Sequence, residues 1–445
     1  MTKKKKSQAQ GKRVRYDKQR PRSAVDRSTA RATSRSSRAQ AVSVPVCRAD
    51  PPPPSTLVTL DPLAPVIVRS GRPFDASNGL DEARFPPPST LAGCLRTAWA
   101  RQTGTDFGPA LLDAVSVRGP LLWREGEGVE PDVAPALLVP KPADALYLAR
   151  EGEREPCCIR AEPRAFDEGC GSDLPQGLIP VQLTDPVKGK PKPGPRWWTL
   201  AQLLDFRRGA TPTFEALLEQ GWTPATERRT HVAIDRKSHA AKTSQLFQTN
   251  GLDFMPDQPL DPAGQPPAAT RRLRLLARCD QPLRAGLVHL GGERRLAALE
   301  PRPESQWPAV PEGWFDQMVK VGGLSLTLLT PAAFAAGFRP DWIDPDTLEG
   351  EPPEAPGVHL KLRAVACERW QANSGWDLHK GEPRPTRRLV AAGSVYWFEL
   401  VGDHDPAAFE PLWLNNISDT AQDRRDGFGL ALPAPWTPCA CSMDH

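Results

Sequence analysis

Arginines and an aromatic ring cluster around a Pro-rich segment within residues 61–101. The cluster comprises Arg69, Arg72, Phe74, Arg84 and Arg96. Guanidinium groups bind phosphate bidentately, and a helix beginning after Pro86-Pro87-Pro88 would add free backbone N–H groups and the positive end of its dipole. The block therefore predicts a cradle for a nucleic-acid backbone. The alternative is structural: Phe74, Phe85 and the prolines lock a loop over the core, and the arginines pair with acids such as Asp75, Asp81 and Glu82.

A second group of cations follows the apolar alternation of residues 231–234. It comprises Arg236, Lys237, His239 and Lys242, and the chain returns on Leu246-Phe247. Such a loop could grip phosphates. Alternatively, His239 and Lys242 could cleave RNA by acid–base chemistry, since imidazole titrates near neutrality. Cleavage needs a second positioned proton carrier, and no Asp, His or Tyr beside the loop obviously fills that role, so the pattern favours gripping.

A third candidate is a Gly-bracketed turn near the C-terminus. Arg424 and Arg425 stand just before Gly427-Phe428-Gly429. Glycines allow backbone N–H groups to approach a phosphate or a base closely. A simple hairpin turn is the more common meaning of such a pair of glycines.

Other chemistries have no matching pattern in this sequence. No phosphate-binding P-loop, GxSxG elbow, HExxH motif or dinucleotide fingerprint occurs, and no histidine has a recognised triad spacing. The nine cysteines have no repeating spacing, which favours reduced thiols over a disulfide framework or a metal site. The sequence therefore predicts no catalytic residue, no metal and no cofactor.

Charge is distributed unevenly along the chain. Residues 1–40 contain 14 Lys or Arg against Asp17 and Asp26, a net charge of +12, so the rest of a chain with net charge +4 carries −8. We expect residues 1–54 to be a disordered basic tail ending in a Pro-rich spacer. Such a tail could attract phosphates or could merely aid solubility.

The elements that must position these residues are mainly strands. Apolar alternation predicts strands at 273–279 and 358–364, and shorter apolar runs predict strands at 57–60, 66–69, 115–117, 232–234, 287–290, 324–329 and 395–400. The clearest helix pattern covers residues 89–99, capped by Ser89 or Thr90, with weaker ones at 214–219, 331–336 and 406–414. Residues 124–145, 150–195 and 255–270 are predicted to be loop insertions. This is an antiparallel α+β pattern, compatible with two ferredoxin-like units joined near residue 300.

No apolar run approaches the roughly 18 residues that a membrane span needs, and no apolar segment follows the N-terminal lysines to form a signal peptide. We therefore expect a cytoplasmic protein.

Nine segments, in order between about residues 59 and 436, resemble the family of the third subunit of the Cmr effector complex of type III-B CRISPR systems, within the RAMP superfamily. They are Gly71-Arg72-Pro73-Phe74, Phe85-Pro86-Pro87-Pro88 to Arg96, Gly119-Pro120-Leu121, His231 to Phe247, Leu290-Gly291-Gly292-Glu293-Arg294-Arg295, Leu329-Thr330-Pro331, Ser374-Gly375-Trp376-Asp377, Ala392-Gly393-Ser394-Val395-Tyr396 and Gly427-Phe428-Gly429. The basic tail is outside the resemblance. Each segment alone is a weak signal, and the nine in order are specific.

The resemblance implies two ferredoxin-like, RRM-related domains with antiparallel sheets, which we place at 55–300 and 301–445. It also implies a noncatalytic subunit that holds the repeat-derived 5′ handle of the crRNA in antiviral defence. Its partners would be the large polymerase/cyclase-like subunit on one side and a backbone RAMP subunit on the other.

Two features of the sequence qualify the resemblance. RAMP proteins tend to have a longer Gly-rich C-terminal loop, whereas Leu430 follows Gly429 here. The superfamily also contains metal-independent endoribonucleases with a catalytic histidine, which makes repeat-RNA cleavage by His239 the alternative function.

Overall fold

The computed structural model describes residues 53–68, 83–124, 136–150, 152, 155–167, 169–185, 187–254, 273–377 and 380–438. They fall in one compact unit, Pro51–His445. The predicted basic tail and all of its spacer except Pro53 and Pro54 lie outside the described residues. So do Arg69, Arg72 and Phe74 and the predicted loop at 255–270.

Strands dominate the described residues. In chain order they are β1 (Ser55–Pro62), β2 (Val117–Arg124), β3 (Ala136–Pro140), β4 (Ala145–Leu148), β5 (Cys157–Pro163), β6 (Val181–Leu183), β7 (Trp197–Thr199), β8 (Ala225–Ile234), β9 (Ala241–Asp253), β10 (Leu273–Leu283), β11 (Gly286–His289), β12 (Leu296–Arg302), β13 (Gly323–Leu328), β14 (Glu349–Gly350), β15 (Leu360–Ala366), β16 (Gln371–Asn373), β17 (Trp376–Asp377), β18 (Glu382–Pro383), β19 (Arg387–Leu389), β20 (Val395–Leu400), β21 (Asn415–Asn416) and β22 (Leu430–Pro435).

Helices are short apart from the first. They are α1 (Pro88–Thr103), α2 (Leu111–Ala114), α3 (Leu200–Arg207), α4 (Phe214–Gln220), α5 (Trp314–Val321) and α6 (Ala421–Arg425), with 3₁₀ turns at Glu304–Gln306 and Pro406–Leu412. Mixed α and β structure with antiparallel sheets and few helices is thus confirmed.

The first sheet has the strand order β11-β12-β1-β10-β2-β3-β7. Its four central strands are β12, β1, β10 and β2. Numbered by their order in the chain, they are strands 4, 1, 3 and 2, and each neighbouring pair is antiparallel. Helix α1 connects β1 to β2 and packs against β2 and β10.

Helix α1 forms where its sequence predicts, with a different start. Pro88 occupies the first turn, where a missing N–H costs nothing, and the N-cap is Pro87, so neither Ser89 nor Thr90 caps the helix as predicted. Leu91 and Leu95 are fully buried one turn apart. Gly104, at φ 73°, ends the helix in a left-handed cap.

The second sheet has the order β14-β15-β20-β13-β22-β21. Its four central strands lie side by side in the order β22, β13, β20 and β15. Numbered by their order in the chain, they are again strands 4, 1, 3 and 2, and each neighbouring pair is antiparallel. The chain passes from the first sheet to the second between Arg302 and Gly323. Leu121 and Leu276 of the first sheet belong to the same hydrophobic core as Leu326 and Phe398 of the second, so the two sheets share an interior.

Several expectations about local structure need correction. The predicted helix at 331–336 is wrong: Ala332 forms a bridge with Val390, and the Ser418 hydroxyl accepts a hydrogen bond from the Ala333 backbone N–H. Residues 406–412 form a 3₁₀ turn, whose start is capped by Asp405. Within the predicted loops at 124–145 and 150–195, the chain forms strands β3, β5 and β6.

Candidate nucleic-acid interface

The cationic loop predicted after residue 234 is the tip of a long hairpin, which we call the cationic hairpin (β8 and β9 with the turn between them). Its strands pair with each other in a two-stranded sheet of their own. Ten residues of β8 correspond to about 30 Å of extended chain. Most of β8 is exposed or half-buried, whereas Leu252 is buried at the other end, where it pairs with Val66. The hairpin therefore projects from the rest of the folded chain as an arm, and the end that contains Leu252 is its base.

The turn of the cationic hairpin is fixed by Asp235. Its carboxylate accepts hydrogen bonds from the backbone N–H groups of Lys237 and Ser238, both at 2.9 Å, and its backbone carbonyl accepts from the N–H of His239 at 2.8 Å. The bonds from Ser238 and then Lys237 lower the pKa of Asp235 below its usual value. The turn therefore holds its shape while directing side chains outward.

The predicted cations at this tip are open to solvent. Arg236, Lys237, His239 and Lys242 are all exposed. Within the described part of the chain, none of these four side chains makes a hydrogen bond or an ion pair. Four cationic or titratable groups without internal partners can bind phosphate without first breaking an existing contact.

Sequence reasoning missed two further cations on this arm. Arg228 is exposed, and the Arg229 guanidinium lies 2.8 Å from the Glu227 carboxylate. The apolar signal began only at Val232, so the strand was predicted too short. Residues 226–231 are all polar or charged, and a strand exposed on both faces gives no apolar alternation in a sequence.

His239 lies at the outer end of the arm, away from the other histidine of the hairpin. Its backbone is left-handed at φ 54°, and the ring is exposed at the outer end of the arm. His231, the other histidine of the hairpin, has its Nε2 atom 2.9 Å from the Thr249 hydroxyl, within the paired strands. The described residues thus bring no second proton carrier into hydrogen-bond contact with His239.

Arg84 and Phe85 connect the base of this arm to the second half of the chain. The Arg84 guanidinium donates a 2.7 Å hydrogen bond to the carbonyl of Ala372. The Phe85 ring packs 4.4 Å from the ring of Trp197 and 6.3 Å from that of Phe254, which directly follows β9. Part of the predicted cradle therefore serves as a joint between two surface elements.

Arg96 has an internal role in this structure. It is buried, its Nη1 atom lies 2.5 Å from the Asp426 carboxylate, and its Nε donates to the carbonyl of Val115 at 3.0 Å. A guanidinium with these partners has no free edge for a phosphate. The partner acids suggested by the sequence, Asp75, Asp81 and Glu82, lie outside the described residues, and the acid that pairs with Arg96 is far along the chain.

The arginines before the C-terminal Gly turn are engaged in the same way. Arg424 lies 2.8 Å from the Glu354 carboxylate and also donates to the carbonyls of Ser418 and Asp419. Arg425 lies 2.6 Å from the Asp113 carboxylate. Both residues therefore tie separate parts of the chain together.

The Gly turn itself is closed to ligands. The backbone N–H groups of Gly427, Phe428 and Gly429 donate to the carbonyls of Arg424, Asp423 and Pro331. The Phe428 side chain is fully buried. All three backbone N–H groups of this turn are thus used by carbonyls of the chain, and none is left for a phosphate. The turn packs against the core through Phe428.

Among the described residues, no group of three or more His, Cys, Asp or Glu side chains is placed to hold a metal ion. Six cysteines in this part of the chain are free thiols, and burial raises the pKa of both Cys94 and Cys279 to about 12. No helix in the described ranges is long and apolar enough to cross a bilayer.

Comparisons with known proteins give one family. The model of a family described as CRISPR-associated protein (Cas_Cmr3) matches residues 58–436. Among solved structures, the chain is similar to a chain in the cryo-EM structure of the Type III-B Cmr-beta bound to cognate target RNA, at 14% identity and a TM-score of 0.41, covering 77% of this chain and 86% of that one. A second such structure, with cognate target RNA and AMPPnP in state 1, has a TM-score of 0.40 at the same identity and coverage. No curated protein sequence matches the chain.

Proposed function

The chain belongs to the Cas_Cmr3 family of CRISPR-associated proteins, and from that premise we propose that it is a noncatalytic RNA-binding subunit of a type III-B Cmr effector complex. In this role it holds the 5′ repeat-derived handle of the crRNA. It also bridges the large polymerase/cyclase-like subunit to the backbone RAMP subunits in antiviral defence.

The observation that carries this proposal is the tip of the cationic hairpin. Its exposed Arg236, Lys237 and Lys242 have no internal partner among the described residues, and the turn that presents them is held by Asp235. Cations placed this way bind the backbone of an RNA strand independently of its sequence. His239, exposed beside them, is a donor for the same strand.

The proposed RNA-binding set differs from the one predicted from sequence. The tip of the cationic hairpin remains in it, as do Arg69, Arg72 and Phe74, which lie outside the described residues. Contacts within the chain are assigned instead to Arg84, Arg96, Arg424, Arg425 and the Gly427-Phe428-Gly429 turn. Among the described residues, the proposed grip therefore depends on the exposed tip of the cationic hairpin.

The strand order of the two sheets is compatible with a pair of ferredoxin-like units. Each has four antiparallel strands in the order 4-1-3-2, and α1 supplies the first crossover of the first unit. The second crossover of the first unit is β11 instead of a helix. In the second unit the crossovers contain loops, a 3₁₀ turn and the five-residue helix α6. We infer two ferredoxin-like domains, the first ending near Arg302, in which edge strands and turns replace most helices.

The proposal is tested by the RNA that accompanies the protein. The complex is purified from its host through this chain, and the 5′ ends of the bound RNA are sequenced. We expect a shared repeat-derived tag of about eight nucleotides, in the range of the few-nucleotide sites of RNA-binding modules. Bound RNA with random 5′ ends, or no RNA, would contradict handle binding.

The alternative of a metal-independent endoribonuclease is distinguished by a cleavage assay. The isolated chain and its His239→Ala variant are incubated with repeat RNA in EDTA. The proposed function predicts that neither protein cuts the RNA, because His239 has no positioned proton-transfer partner among the described residues. Site-specific cleavage that disappears in the variant would establish the enzyme instead.

A further inference from the structure

A second arm rises from the other sheet, between β15 and β20. We call it the tryptophan hairpin (residues 370–389): β16 pairs with β19, β17 pairs with β18, and the turn lies between Asp377 and Gly381. The Gly381 N–H donates to the Asp377 carbonyl at 2.8 Å, and Gly381 has φ 69°, which glycine adopts without strain. The sequence indicated this segment only as a family motif around Trp376.

Two indole rings of this hairpin are open to water. Trp376 is 59% exposed and Trp370 is 49% exposed, although large aromatic rings are usually buried. The Arg388 guanidinium lies 4.9 Å from the centre of the Trp370 ring, and the stem of Arg384 lies beside Gly375, directly before Trp376. The Trp370 ring therefore has an arginine over it, and a second arginine lies beside the residue that precedes Trp376.

The hairpin carries a net positive charge. Residues 370–389 contain four Lys or Arg and two Asp or Glu, a net charge of +2. Aromatic residues and arginine are enriched at interfaces between proteins as well, whereas lysine is depleted there. Aromatic rings interleaved with cations are the composition of surfaces that stack the bases of a single strand and neutralise its phosphates, and the exposed Lys380 of the same hairpin favours such a surface.

The base of the hairpin is fixed to the body. Leu389 is buried in a small cluster with Phe428 and Ala333, and Arg387 pairs with Asp423 at 2.7 Å. Arg84 donates to the carbonyl of Ala372 within β16. The rings are thus carried on an anchored support, and Arg84-Phe85 links this support to the base of the cationic hairpin.

We propose that the tryptophan hairpin is a second binding element for single-stranded RNA, in which bases stack on Trp376 and Trp370 and phosphates bind Arg384 and Arg388. This inference rests on the proposed function, because the single-stranded RNA is taken to be the RNA that this subunit holds. The division of roles is specific: the cationic hairpin supplies charge alone, and the tryptophan hairpin supplies the stacking surfaces together with two arginines.

The test measures the anisotropy of a fluorescein-labelled, 12-nucleotide single-stranded RNA of mixed sequence titrated with the full chain. Trp376→Ala should raise the Kd at least about fivefold, because this variant has no aromatic ring on which the base can stack. Trp376→Phe should retain most of the affinity, since a phenyl ring still stacks. Phe107→Ala, which removes an equally exposed ring elsewhere, should leave the Kd unchanged.

The salt dependence separates stacking from charge. Trp376→Ala should leave the slope of log K against log salt unaltered. A double Arg384→Ala and Arg388→Ala variant should instead reduce that slope by roughly 0.7 for each phosphate that the protein no longer neutralises. Thermal unfolding at the wild-type temperature shows that each variant is folded.

An unchanged Kd for Trp376→Ala, together with weaker binding by variants of the cationic hairpin, would overturn this inference and leave the proposed function standing. A wild-type chain that does not bind RNA would overturn both. Normal RNA binding by Trp376→Ala, with loss of the other subunits on purification, would assign the rings to a protein partner and likewise overturn the inference.

Discussion

Two arginine-rich regions of this molecule differ in where their guanidinium groups lie. Around α1 and α6, Arg96, Arg424 and Arg425 form ion pairs with carboxylates of distant segments. At the tip of the cationic hairpin, Arg236 and its neighbours are exposed and have no partner among the described residues. Arginine therefore joins distant segments of the chain in one region and is available to a ligand in the other, and the presence of an internal carboxylate partner makes the difference.

The largest expected effect comes from breaking the buried pair. Arg96→Ala leaves the Asp426 carboxylate buried without its cation, which should cost about 3–5 kcal/mol of unfolding free energy. Denaturant unfolding measures it. Arg101→Ala, on an exposed position of the same helix, is the control and should change stability by no more than about 0.5 kcal/mol. Wild-type stability with loss of RNA from Arg96→Ala would place Arg96 on the RNA.

A smaller loss of stability is expected at the Gly turn. Gly427 has φ 95°, and a Cβ atom there would lie 2.7 Å from the carbonyl oxygen of Gly119. Gly427→Ala should therefore cost about 1–3 kcal/mol through backbone strain, with the steric clash adding to it, while RNA affinity per folded molecule stays unchanged. Thermal unfolding and RNA titration are the two measurements.

Gly93→Ala is the matched control for the Gly turn. Gly93 lies inside α1, and a Cβ atom there would meet nothing within 4 Å, so the substitution should stabilise the helix by roughly 0.5–1 kcal/mol. Weaker RNA binding by this variant would show that RNA does approach α1.

The smallest effect concerns the shape of the cationic tip. Asp235→Ala removes the carboxylate that holds the turn, and RNA affinity should fall by only roughly two- to threefold because the cations remain but are less ordered. If Asp235→Ala lowered the RNA affinity as much as removal of Arg236, Lys237 and Lys242 does, the shape of the turn and not its charge would be what binds RNA.

The pH dependence of this turn follows from the lowered pKa of Asp235. The ionised carboxylate stabilises the folded turn at pH values above its unfolded pKa of 3.8. This stabilisation is lost as the pH falls through the lower pKa of the folded state. Asp235 should therefore contribute no change between pH 5 and pH 8. Amide exchange of Lys237 and Ser238, corrected for the intrinsic pH dependence, tests this: a change in protection within that range would be inconsistent with the depressed pKa.

Local periodicity predicted much of the fold. Alternation identified β10 and β15, and apolar runs flanked by glycine located β13 and β20, because each strand presents a continuous buried face. The helix predicted at 331–336 was wrong because Ala332 exchanges backbone hydrogen bonds with Val390, and the Ala333 N–H donates to the Ser418 hydroxyl. Such contacts join residues more than 50 positions apart, which no local pattern records.

The candidate site was predicted only in part for the same reason. The cationic tip could be found because its cations are adjacent in sequence. Nothing in the sequence distinguishes Arg96 and Arg425, which have internal partners, from the cations of the tip, which have none among the described residues. Arg96 pairs with Asp426, 330 residues away, and Arg425 pairs with an acid 312 residues away. Exposure of Trp370 and Trp376 likewise becomes visible only once the hairpin is placed outside the shared core.

The central claim, that the cationic hairpin grips the guide RNA, is tested most directly in the purified complex. The triple variant Arg236→Ala, Lys237→Ala and Lys242→Ala is compared with Lys188→Ala, Lys190→Ala and Lys192→Ala, which removes three exposed cations elsewhere. We expect the hairpin variant to retain less RNA and to show a shallower salt dependence, while the lysine variant behaves as wild type. Equal RNA occupancy in the two variants and the wild type would contradict the claim.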